Sequence, residues 1–254
     1  MEEEEQQNGE ASPEEQPQQG GEPAAAAAFQ AAPSEADNNG MLVGTNEYLE
    51  VGIHIATKTK SAGMKKFIYK VREDGLYLLD LKTIDSKIRV AAGMIAAYNP
   101  RDVVVTASRI YAIVAAEKFA TAIGSRFIQG RVTPGIFTNP HRDDYIEAKL
   151  IMISDSRNEK QAIKEASMQS IPIVALSDTD NSTKFIDLII PANNRGRKSL
   201  AYIYYLLARE VLKARGDIKD NSEFKLQPQD FEAKAEGGPH HQFAQHAPQI
   251  EAQA

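Results

Sequence analysis

A chain of 254 residues with no cysteine carries a net charge of −6, which excludes a disulfide framework, a thiolate metal site and a cysteine nucleophile. No apolar run approaches the roughly 20 residues needed to cross a bilayer, and the acidic, polar amino terminus suits neither a secretory signal nor an Arg-rich transit peptide, so a cytoplasmic location is expected. The charge is segregated: residues 1–40 hold ten acids and no Lys or Arg, residues 217–254 hold seven acids against three Lys, and residues 41–216 hold 26 basic and 18 acidic side chains.

Three regions follow from this pattern. Residues 1–40, rich in Glu, Gln, Pro, Gly and Ala, cannot bury enough apolar surface to offset chain entropy, and a disordered acidic tail is expected. The stretch 217–254 reads as a flexible carboxyl-terminal tail. Its His240-His241 pair and His246 could chelate a metal weakly, or simply be solvated. Between them, residues 41–216 are long enough to bury a substantial core.

In this central region the spacing of Leu49, Ile53 and Ala56 predicts a helix over 46–57. Apolar runs at 67–72 and 76–81 around Glu73-Asp74-Gly75 predict an antiparallel hairpin. A helix over 82–98 ends at Asn99-Pro100, because a residue before Pro disfavours the helical region. A regular alternation follows. Short strands are expected at 103–106, 126–129, 150–154, 172–176 and 188–191. Helices are expected at 110–123, 158–169 and 197–215, with Gly124 and Gly216 as helix stops. Continuously apolar strands separated by helices imply a parallel sheet covered on both faces. The expected fold is α/β, a Rossmann-like doubly wound, mostly parallel sheet with an added β-hairpin.

Such sheets usually bind ligands at the carboxyl ends of their strands. The phosphate-cradling loops Gly-x-Gly-x-x-Gly and Gly-x-x-x-x-Gly-Lys-Ser/Thr are absent, as is a Gly-x-Ser-x-Gly elbow. Asp155, Asp178 and Asp180 follow strands and could hold a magnesium ion or form an acid/base pair. The simpler reading makes Ser154-Asp155 an N-cap for the next helix. His54 stands four residues after Glu50 without a second His, and reads as a surface or packing residue. His141 lies in a Pro-bounded loop with no evident partner.

Basic clusters are more informative. The first is Lys58, Lys60, Lys65 and Lys66. The second, Arg195, Arg197 and Lys198, opens the last helix, where cations oppose the helix dipole by about 0.3–1 kcal/mol each. An external anion is therefore expected to compensate, since a helix amino terminus favours phosphate. A third, looser group is Arg126, Arg131 and Arg142. Net basic charge in the central region suits a polyanion. Aromatics in the clusters are few (Phe67 and Tyr69), so backbone and shape contact with folded RNA is expected ahead of single-strand stacking.

The stretch 149–172, KLIMISDSRNEKQAIKEASMQSIP, and the following VALSDTDNSTKFIDLIIPANNRGRKSLAYIYYLLAREVL resemble the universal small-subunit ribosomal protein two (S-two) family. RVTPGIFTNP at 131–140 resembles its Pro-Gly-x-x-Thr-Asn loop, and YLEVGIHIATKTK its opening helix. The resemblance spans about 42–216 and is closest to the archaeal and eukaryotic branch, whose eukaryotic members are also called laminin-receptor precursors. Departures are small: Asp155-Ser156-Arg157 stands where the family commonly has Asp-Pro-Arg, and Ser177 and Ala192 stand where it often has Cys.

The resemblance implies a Rossmann-like scaffold without chemistry, a structural constituent of the small ribosomal subunit. It implies contacts to small-subunit ribosomal RNA and neighbouring ribosomal proteins, no cofactor, no membrane and no small-molecule substrate. The residues expected to contact RNA are Lys58, Lys60, Lys65, Lys66, Arg126, Arg131, Arg195, Arg197 and Lys198. Two rival readings remain open from the residues alone. One is an enzyme binding a phosphorylated small molecule through Asp155, Asp178 and Arg195. The other is a protein-interaction module.

Overall fold

The computed structural model describes residues 41–233. The expectations for the 1–40 tail and for His240, His241 and His246 lie outside those residues.

Helix α1 (Thr45–Val51) is shorter than its periodicity suggests. Gly52 adopts a left-handed conformation with φ 72° and stops it, a cap that side-chain-bearing residues resist. Residues beyond it turn extended and run along the hairpin of β1 (Ile68–Val71) and β2 (Tyr77–Leu79). Ala56 N donates to Tyr77 O at 2.9 Å, and Leu79 N donates to His54 O at 2.9 Å. The hairpin thus gains a third extended segment on the β2 side, leaving β1 at the outer edge.

Helix α2 (Leu81–Ala96) is capped by Asp80, whose carboxylate accepts from Thr83 N at 3.3 Å. The remaining elements are β3 (Val103–Ala107), α3 (Ile110–Ile123), β4 (Arg126–Gln129), β5 (Leu150–Ile153), α4 (Lys160–Met168), β6 (Ile173–Ser177), β7 (Leu188–Pro191) and α5 (Arg197–Arg215). All neighbouring strand pairs of the five-stranded sheet are parallel, in the order β4-β3-β5-β6-β7. The α/β expectation is met, hairpin included.

Alternation along the strands divides the core between two faces. Val103 and Val105 of β3 join Leu150, Met152, Val174 and Leu176 under α2, α3 and α5. Val104 joins Ile151, Ile153, Ile173 and Ala175 under α4 and the loop carrying Ile136 and Phe137. That loop is held to α4 by buried Glu165, which accepts from Gly135 N at 2.8 Å and Phe137 N at 3.2 Å.

Of the 217–254 stretch expected to be a flexible tail, residues 234–254 lie outside the described residues, and part of the remainder is docked on the domain. Residues 224–233 return across α5. Phe231 is fully buried, and Tyr205 of α5 lies 5.5 Å from the Phe224 ring and 6.1 Å from the Phe231 ring. The polar composition of the segment hides these two aromatic anchors, which suffice to dock a short strap because each buries a large apolar area.

Candidate nucleic-acid interface

Chain order places the topological switch between β3 and β5, where an open α/β sheet offers its ligand crevice. Here the crevice holds the protein's own side chains. Glu159 is buried at its floor. One carboxyl oxygen meets the Thr106 hydroxyl, and the other accepts from Ser108 N and Ser108 Oγ, both at 3.1 Å. The Ser108 amide, a donor that could have met a ligand phosphate, is thereby engaged.

Asp155, fully buried, is the second hub. Its Oδ2 accepts from Arg109 Nε at 2.6 Å. Its Oδ1 accepts from Arg157 N and Asn181 Nδ2, both at 3.0 Å. The expected N-cap role is not realised: α4 starts at Lys160 and has no side-chain cap. Side chains from two other loops, Arg109 and Asn181, converge on this carboxylate instead, a convergence invisible to local pattern. Among the described residues no group of three or more His, Asp or Glu is arranged to hold a metal ion.

Burial pushes the Glu159 carboxyl up from 4.5 to about 8, against the opposing hydrogen bonds from Thr106 and Ser108. Burial likewise raises Asp178, helped by the neighbouring Asp180, and lowers half-buried His54. For Glu159 the sign is clear. Between 4.5 and about 8 the folded protein keeps a proton that the unfolded chain has released. Stability from this group is therefore complete below the unfolded value and falls as pH rises to about 8. Urea unfolding across that interval should show Glu159→Gln with a flatter stability–pH profile than the parent. Parallel profiles would mean that Glu159 is ionised in the folded protein at neutral pH.

The second basic cluster is not left to an external anion, as its sequence suggested. Arg195 pairs with Asp180 and reaches Asp178 at 3.7 Å. Arg157 meets the same Asp180 at 2.7 Å. Arg197 is bound by Glu232 of the carboxyl-terminal strap at 2.7 Å. Lys198 is exposed. The compensating charges come from residues 17 and 15 positions upstream of Arg195 and 35 positions downstream of Arg197 in the chain, beyond any local reading. Asp155, Asp178 and Arg195 of the rival enzymatic reading are each engaged by ion pairs of the protein itself.

The first cluster behaves differently. Lys58, Lys60, Lys65 and Lys66 are exposed and form no ion pair among the described residues. Lys60 Nζ lies 5.0 Å from the centroid of the Tyr77 ring, and Lys66 Nζ 5.0 Å from that of Phe67. The segment bearing Lys58 and Lys60 is pinned to the loop after β6. Ser61 N donates to Thr179 O at 2.7 Å, and Thr57 Oγ1 lies 2.9 Å from Thr179 Oγ1. Gly63 permits this close approach, since a Cβ there would collide with the Thr183 hydroxyl. The hairpin extends the cluster with Lys70, also exposed and absent from the sequence-based candidates, whereas the exposed Arg72 is paired with Asp74 at 3.1 Å. From 51 to 72 the chain has no Asp or Glu, a signal that could have found Lys70.

In the third group, Arg142 is paired with Asp144 at 2.7 and 2.8 Å. Arg126 and Arg131 are exposed. Arg126 opens β4 and so belongs to the amino end of the sheet, opposite the strand-end loops that carry the second cluster.

A family profile described as Ribosomal protein S2 matches residues 141–214. Over 194 residues the chain is 50% identical to the small ribosomal subunit protein uS2 of Thermoplasma acidophilum, spanning 76% of this chain and 98% of that protein. It is 47% identical over 194 residues to the protein of the same name from Saccharolobus solfataricus, with 76% and 84% covered. The corresponding protein of Thermofilum pendens is 50% identical, with 76% and 91% covered. The chain belongs to the uS2 family. The matched 194 residues amount to nearly the whole of the Thermoplasma protein, so the resemblance takes in the uS2 domain as a unit. For a uS2 protein, a crevice filled by Glu159 and Asp155 is consistent with the sheet serving as a scaffold.

Proposed function

We propose that this protein is a structural constituent of the small ribosomal subunit, of archaeal type, without enzymatic activity. It binds small-subunit ribosomal RNA and neighbouring ribosomal proteins and resides on ribosomes in the cytoplasm. Family membership carries the ribosomal assignment. The observation that supports the RNA contact is the cluster Lys58, Lys60, Lys65 and Lys66, exposed, free of ion pairs among the described residues and held on a braced segment.

Cations crowded on one surface repel each other, and a phosphate backbone relieves that repulsion while releasing its own counterions. Arg126, Arg131 and Lys198 are further candidate contacts. Arg195 and Arg197 are candidates of a second kind, because each would have to share its guanidinium between RNA and a carboxylate.

Sedimentation of cell extract tests the assignment. The protein is expected with the small subunit and whole ribosomes at moderate salt. Its recovery only at the top of the gradient, even at low salt, would refute a ribosomal role.

A further inference from the structure

Tyr69 is out of keeping with every other well-placed aromatic in the hairpin region. Phe67 is buried and Tyr77 lies beneath Lys60, whereas Tyr69 is 72% exposed, more than any other large hydrophobic side chain among the described residues. Pairing of β1 with β2 explains why. Ile68 faces Leu79 and Lys70 faces Leu78, so two steps along β1 match one along β2, and Tyr69 is the extra residue of a β-bulge. Bulges re-aim a side chain out of the regular alternation. This one turns an aromatic ring away from the core, on the unpartnered outer strand, with Lys70 beside it and Lys65 and Lys66 just upstream. Tyr69 forms no side-chain hydrogen bond and no ring contact among the described residues.

We propose that Tyr69 stacks on an unpaired base of the bound RNA while the surrounding lysines hold the flanking phosphates. The proposal rests on the RNA-binding reading above and adds a base contact to it. A large aromatic left in water forfeits the stabilisation that burial normally brings. A base supplies a flat apolar partner and, through its two adjoining phosphates, an anion on either side. The exposed lysines of a stretch without Asp or Glu from 51 to 72 match that chemistry. The face of a base is open in a loop or bulge and closed in a duplex, so the site selects single-stranded nucleotides.

The chain has no tryptophan, so Tyr69→Trp in the full-length protein introduces a single reporter at the proposed contact. Titration with an unstructured oligouridylate should quench its emission in a saturable way, and a duplex RNA of equal length should bind without comparable quenching. Tyr69→Ala should weaken oligouridylate binding about 5- to 150-fold, the range for losing one stacked base, and Tyr69→Phe should retain it. Thermal melting should be nearly the same for all variants, because the side chain is largely exposed. Unaltered binding by Tyr69→Ala, or equal quenching by duplex, overturns the stacking contact. If joint replacement of Lys58, Lys60, Lys65 and Lys66 still weakens binding in that case, the RNA-binding reading survives the loss. If neither replacement matters, both fall and a protein partner for this face takes their place.

Discussion

Replacing Lys58, Lys60, Lys65 and Lys66 together by Gln is expected to lower affinity for small-subunit ribosomal RNA by about a thousandfold near 0.1 M salt. Each phosphate contact contributes roughly 0.7–0.9 to the slope of log affinity against log salt. Four lost contacts therefore remove a slope of about 3, and the electrostatic part of the affinity vanishes towards 1 M. Folding should be untouched, since all four side chains are exposed. Filter binding across a salt series reads both quantities. A slope equal to the parent's would remove this cluster from the interface. Arg195→Ala serves as the internal comparison. Its guanidinium is engaged by Asp178 and Asp180, so its slope change should be well below that of any one lysine.

Asp155→Ala is expected to destabilise the fold by about 3–5 kcal/mol, the usual cost of stranding one half of a buried pair. The loss leaves Arg109, whose side chain is only 26% exposed, without its carboxylate. It also strips a partner from Asn181 and from the Arg157 amide. Against a total stability of about 5–15 kcal/mol for a domain, this is a large fraction. Urea unfolding with an unchanged slope and a shifted midpoint would establish it. A loss below about 1 kcal/mol would mean that water satisfies these groups as well as Asp155 does. The two substitutions separate two roles of charge in this protein: the proposed contact of exposed lysines with RNA, and the hold of the buried aspartate on the fold.

Much of the architecture was legible because it depends on local signals. The strand at Arg126–Gln129, the helix at Ile110–Ile123 with Gly124 behind it, and the helix at Arg197–Arg215 with Gly216 behind it fall where periodicity and stops placed them. The first helix did not. Its apolar spacing continues past Gly52, but a left-handed glycine outweighs periodicity, and the following residues gain a strand partner in β2. The strap at 224–233 was missed for another reason. Two aromatics in a polar stretch have no period, and their value lies in a groove made by α5 and neighbouring elements far away in the chain.

By itself the sequence determined the α/β alternation, the net basic charge of the central region between acidic ends and the family to which the chain belongs. These depend on residue types and short spacings, which a linear string preserves. Only the tertiary structure decided which of those cations are paired within the protein. Arg195 and Arg197 resemble Lys58 and Lys66 as charges in a sequence, yet Asp178, Asp180 and Glu232 reach the arginines through folding, and none of the described carboxylates reaches the lysines. The bulge that exposes Tyr69 is likewise a matter of register between two strands. Electrostatic partnership depends on distance in space, over a few ångströms, and the chain's order carries no record of it until the sheet brings its loops together.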